Sequence, residues 1–103
     1  MKIYIPDRWV VLELATPDVI YKKVLAGWSG SYLQGDSWKL SSAIENTVET
    51  DDSYEFTCHS GSVYRCHKHS LGLTVLTTGV LTEMKEEASK TDWIKINIDE
   101  ELV

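Results

Sequence analysis

The sequence predicts an α+β domain, mainly β: six to seven short antiparallel strands forming a curled sheet or small barrel, with one helix near residues 79–89. Three stretches carry that expectation. Residues 54–69, YEFTCHSGSVYRCHKH, alternate in character on either side of Ser60-Gly61-Ser62, as the arms of a hairpin do. Residues 9–15, WVVLELA, are rich in side chains that fit a pleated surface. Residues 79–89 place Val80, Met84 and Ala88 along one helical stripe with Leu81 beside it, and turn Glu83, Lys85, Glu86 and Glu87 to water.

Taken in order, residues 2–5 make a short strand that Pro6 ends or places at an edge, because proline cannot donate to a ladder. The strand at 9–15 turns at Thr16-Pro17-Asp18-Val19, where Pro17 is preset for the second position of a type I turn, and returns over residues 20–28. A four-residue loop sets Val11 opposite Val24 and Glu13 opposite Lys22, a favourable cross-strand charge pair. Residues 27–38, GWSGSYLQGDSW, form a loop. Trp38 and Leu40 then alternate with Ser37, Lys39 and Ser41, which predicts a buried Trp38. Residues 44–50, IENTVET, read as a strand, since Thr47, Val48 and Thr50 favour extension over a short helix at 42–46. Asp51-Asp52-Ser53 turn that strand into the hairpin, and Ser70-Leu71-Gly72 break the chain after it. Thr78 is the candidate helix cap, while Leu76 extends the apolar stripe and allows a start near Thr74. Residues 93–98, WIKINI, alternate, with Ile94, Ile96 and Ile98 on one face and Trp93, Lys95 and Asn97 on the other.

The hairpin decides which chemistry its residues can do. A three-residue loop keeps Tyr54, Phe56, Cys58, Tyr64 and Cys66 on one apolar face, whereas an even-sized loop would mix aromatic and charged positions. Glu55, Thr57, His59, Val63, Arg65 and His67 take the other face. A zinc site of two cysteines and two histidines needs its four ligands on one side, so this division speaks against one, as does the lack of a CxxC pair. A Cys58–Cys66 disulfide would join diagonal rather than opposed positions. Two reduced, buried thiols acting as small apolar residues are expected. His67 and His69 share a face if the strand continues, and in this register Glu55 stands opposite His67. Two histidines and a carboxylate on one surface resemble the open triad that holds iron or zinc, so Glu55, His67 and His69 are the candidate metal ligands. The sequence shows neither a fourth ligand nor a supporting shell, and the primary expectation is no cofactor.

A chain of 103 residues reads as a single domain, long enough to bury a core without metal or disulfide support. Its hydrophobic content of 43% is that of a globular chain. No apolar run approaches the length of a membrane span, and MKIYIPDRWVV lacks the plan of a signal peptide. With only two cysteines, a reducing compartment follows, and the cytoplasm is the expected location. The net charge is −6, and five acids (Glu45, Glu49, Asp51, Asp52, Glu55) with no lysine or arginine fall between residues 40 and 64. There is no basic stripe, so direct nucleic-acid binding is not expected. The acidic segment suits a basic protein surface or, more plainly, a solvated hairpin.

Function points to binding. No GxSxG elbow, phosphate-cradling glycine loop or HExxH is present. Ser60, Ser62 and His59 lie together without an orienting acid, and the cysteines face inward, so an enzyme is not the expectation. In residues 27–38, three glycines and three serines surround Trp28 and Tyr32. The composition resembles a recognition loop, in which rigid rings supply area and Gly or Ser supplies adaptability. The alternative is a loop folded back so that its aromatics cap the core. Trp28 and Tyr32 are therefore the candidate binding residues.

The segments GWSGSYLQGDSWKLSSAI and SGSVYRCHKHSLG resemble small uncharacterised open reading frames of phages and marine microbial samples, over most of residues 9–83. That resemblance implies no activity, cofactor or site; it implies an accessory protein that acts by binding host or virion proteins. The expected function is a small binding or regulatory module contacting a protein or ligand through the 27–38 loop. The alternatives are a metal-binding protein using Glu55, His67 and His69, and an acidic inhibitor of a basic partner.

Overall fold

The computed structural model describes residues 2–30 and 35–102. They form β1 (Ile3–Tyr4), β2 (Arg8–Ala15), β3 (Ile20–Trp28), β4 (Ser37–Leu40), β5 (Ile44–Glu49), β6 (Ser53–Cys58), β7 (Val63–His67), α1 (Val75–Ser89) and β8 (Lys95–Ile98), with single 3-10 turns at Lys68–Ser70 and Glu100–Leu102. The mainly β, α+β class is as expected. Instead of one curled sheet or barrel, the strands make two open four-stranded sheets, ordered β1-β7-β6-β5 and β4-β3-β2-β8. All pairings are antiparallel except β1 with β7.

β2 explains the layering. Its alternate side chains are buried on both faces: Trp9 and Val11 toward the first sheet, and Val10, Leu12 and Leu14 away from it. A strand with two covered faces reads as a continuous apolar run, as WVVLELA does. Trp9, Val11, Val24 and Ala26 of the second sheet meet Phe56, Cys58, Tyr64 and Cys66 of the first. On the far face, Val10, Leu12, Leu14 and Leu25 lie under Leu81 of α1. The molecule is thus sheet, sheet, helix.

The β2–β3 hairpin has the expected register, with Val11 opposite Val24 and Glu13 opposite Lys22, and Thr16 N donating to Val19 O at 2.8 Å across its loop. Lys22, however, makes its ion pair with Asp99, at 2.8 Å from Oδ2, and Asp99 N donates to Val11 O at 2.8 Å. The Asp99 side chain is 3% exposed, so its ion pair ties the segment after β8 to β3 while its backbone bond holds that segment to β2. Its bond to Asp99 is the main reason that Lys22 titrates above the ordinary lysine value.

The central hairpin also has a three-residue loop, closed by Cys58 N donating to Ser62 O at 2.9 Å and allowed by Gly61 at φ 92°. It sits one residue earlier than the sequence reading placed it. Each cross-strand partner therefore moves by two, which keeps every side chain on its expected face but puts Arg65, rather than His67, opposite Glu55.

The helix is delivered by the segment after β7. Leu71 bridges to Trp9, Gly72 N donates to Trp9 O at 2.8 Å, and Trp9 Nε1 donates to His67 O at 2.7 Å. Thr74, rather than Thr78, is the cap: Thr77 N donates to Thr74 Oγ1 at 3.0 Å while Thr74 N donates to Thr77 Oγ1 at 2.8 Å. The earlier start buries Thr77 against β3 at Gly27, where an added Cβ would lie 3.0 Å from the methyls of Thr74 and Thr77. Glycine at 27 is what lets the first turn of α1 sit this close.

Candidate functional site

The residues nominated from sequence go to different places. Trp28 is half-buried: its Nε1 donates to Ile5 O at 3.0 Å, and its ring meets Tyr4 edge-on at 6.2 Å. Tyr4 in turn stacks on Tyr64 at 5.0 Å, so Trp28 caps the inter-sheet core. Tyr32 lies outside the described residues. The loop's last aromatic, Trp38, was expected in the core and is instead 45% exposed. It follows the alternation onto the helix side of β4, opposite Gly27, but β4 is an edge strand, and among the described residues α1 covers the ring only in part.

Of the candidate metal ligands, His67 and His69 come together, their rings stacked at 5.4 Å. Glu55 goes elsewhere, to Arg65 at 3.6 Å. Among the described residues, no three His, Cys, Asp or Glu side chains are grouped to hold a metal ion. The acidic segment is largely matched within the fold. Glu45 meets His59 Nδ1 at 2.9 Å, Glu49 meets Lys68 Nζ at 2.6 Å, and the Glu55–Arg65 pair is the third. Asp51 and Asp52 remain at the turn into β6.

The two thiols are not poised as nucleophiles. Cys58 and Cys66 are free and buried. Burial is the main cause that raises both thiols above the ordinary cysteine value, and for Cys66 the effect is large. Burial likewise pushes the Tyr64 phenol up to about 12. All three groups stay protonated at neutral pH and are almost wholly buried.

A groove on the helix side is the feature with the character of a contact surface. Its volume is about 490 Å³, within the range of ligand and side-chain pockets. Val80 and Met84 of α1 form its wall, and Ile94 and Ile96 line it on the β8 side. Trp38 and Trp93 flank it at 45% and 59% exposure. Glu83 and Glu87 supply its polar rim. No protein-family model matches this chain, and no curated protein or solved structure does. The groove has to be read from its own chemistry. Positions 80, 83, 84 and 87 recur at helical spacing, so one flank of α1 presents apolar and acidic side chains side by side.

The physical origin of the groove is a mismatch of widths. Four strands at about 4.8 Å spacing span roughly 19 Å, while one helix with its side chains covers about 10–12 Å. A single helix therefore leaves part of a four-stranded face uncovered. Sequence reading passed over Trp93: the alternation of WIKINI signalled exposure by setting it off the isoleucine face, and it borders the groove with Ile94 and Ile96 because it lies in the bend before β8 and not in the strand. No comparable signal marked Trp38, whose exposure depends on β4 being an edge.

Proposed function

We propose that this chain is a small binding module that holds a segment of another protein in the groove beside α1. The observation that carries this reading is the pair of exposed tryptophans, Trp38 and Trp93, lining one groove with the apolar wall made by Val80 and Met84. Large rings left in water around an apolar groove are characteristic of interfaces, where tryptophan is among the residues that contribute most. Trp38 ends the 27–38 loop, so the contact surface expected there moves to the loop's far end and across to α1.

Four indole N–H signals allow a direct test. Peptides selected from a displayed random library on the native protein should shift the indole resonances of Trp38 and Trp93. Those of Trp9 and Trp28, bonded to His67 O and Ile5 O, should stay in place. The double variant Trp38→Ala/Trp93→Ala should lose the selected peptides. Selected peptides that bind the double variant as well as the parent would remove the groove from consideration.

A further inference from the structure

We infer that the segment taken by this groove is cationic and amphipathic, with lysine or arginine flanking its apolar anchors; this rests on the groove being the contact surface. The rim residues decide it. Glu83 and Glu87 stand on the groove side of α1, one helical turn apart, next to Val80 and Met84. Lys85 lines the adjoining cleft, with Lys95 and Asp92, and makes no ion pair with either rim carboxylate among the described residues. Glu87 is met by Lys90 at 3.0 Å, an exposed i, i+3 pair of the kind that contributes little and is readily exchanged. Glu83 makes no ion pair among the described residues. An apolar side chain entering beside these carboxylates brings its neighbours within reach of them, where a base is attracted and an acid repelled.

The same charges argue against a second copy of the chain as the occupant. A two-fold symmetric contact places one patch on its own image. Here that would set the Glu83 and Glu87 rims against each other, in a chain already carrying a net charge of −6. An anchor of alternating or helical spacing with basic flanks meets both requirements, apolar wall and acidic rim, at once.

The test uses synthetic peptides that share one set of leucine and tryptophan anchors and differ only in whether their flanking residues are lysine, glutamine or glutamate. Fluorescence-anisotropy titration at low salt should rank them lysine over glutamine over glutamate, with about tenfold or more between the extremes. Raising the salt should draw the three affinities together, since exposed charges are screened beyond about 8 Å at physiological ionic strength. The variant Glu83→Lys/Glu87→Lys, at exposed positions and checked for an unchanged melting curve, should reverse the ranking. Equal affinity for all three peptides would overturn the cationic partner and leave the groove reading standing. Failure of every peptide to displace one selected on the native protein would overturn both. A concentration-dependent dimer that Trp93→Ala abolishes would make a second copy the occupant and overturn the inference.

Discussion

Val11 and Val24 lie on one face of the second sheet beneath another sheet, while Leu12 and Leu25 lie on its other face beneath a single helix, and all four are buried. What differs is the margin. Toward the first sheet, the rings interlock: Trp9 meets Phe56 at 5.7 Å and Tyr54 at 5.9 Å, and Tyr4 links Tyr64 to Trp28. That interior is aromatic and its large groups are held from several sides. Under α1, the contacts are aliphatic and the border is open, with Val80 and Met84 half-buried and Trp38 and Trp93 exposed. A cover as wide as the sheet makes a core, and a cover narrower than the sheet makes a core with a usable edge.

The first way to break this comparison is to cut one residue from each side. Trp9→Ala should cost about 3–5 kcal/mol, because Trp9 is 1% exposed and the rings around it cannot collapse into its volume. Leu81→Ala, under the helix, should cost about 2–3 kcal/mol, at the lower end for buried leucines because α1 can settle toward the sheet. Urea denaturation measures both. A larger loss at Leu81 would mean that the helix side is the better packed of the two.

A second test concerns the thiols of the inter-sheet core. Native protein should resist a thiol reagent and expose both cysteines only on denaturation, and Cys58→Ala should cost roughly 1–2 kcal/mol. Burial holds Cys58, Cys66 and Tyr64 above their ordinary values of 9.0, 9.0 and 10.0. The folded state therefore holds these protons more tightly than the unfolded state. Their contribution is complete below pH 9 and is lost as pH rises through the folded values. Stability should be level near neutrality and fall above about pH 9, and a Cys58→Ala/Cys66→Ala variant should fall less steeply over that range. Thiols that react quickly in the native protein at neutral pH would show the inter-sheet core to be more open than described.

The smallest expected effect on stability is at the groove. Trp38→Ala/Trp93→Ala should change unfolding free energy by only about 1 kcal/mol, since about half of each side chain already stands in water. A loss of several kcal/mol would mean that the rings close the helix-side core instead of bordering a contact surface.

Local rules accounted for much of this molecule. The β2–β3 register followed from Pro17 and a four-residue loop, and the apolar face of the central hairpin followed from parity alone, which survived a displaced loop. The inward cysteines followed from that same parity. Whether a strand lies at an edge, and what lies above it, depends on contacts between residues far apart in the chain, which no local pattern encodes. That is why the two-sheet division, the parallel β1–β7 pair and the placement of Glu55 away from His67 emerged only in the tertiary structure. Trp28 and Trp38 make the point within one loop. Both follow the strand alternation, but Trp28 points between two sheets and is capped by Tyr4, while Trp38 points to the helix side at an edge that α1 is too narrow to cover.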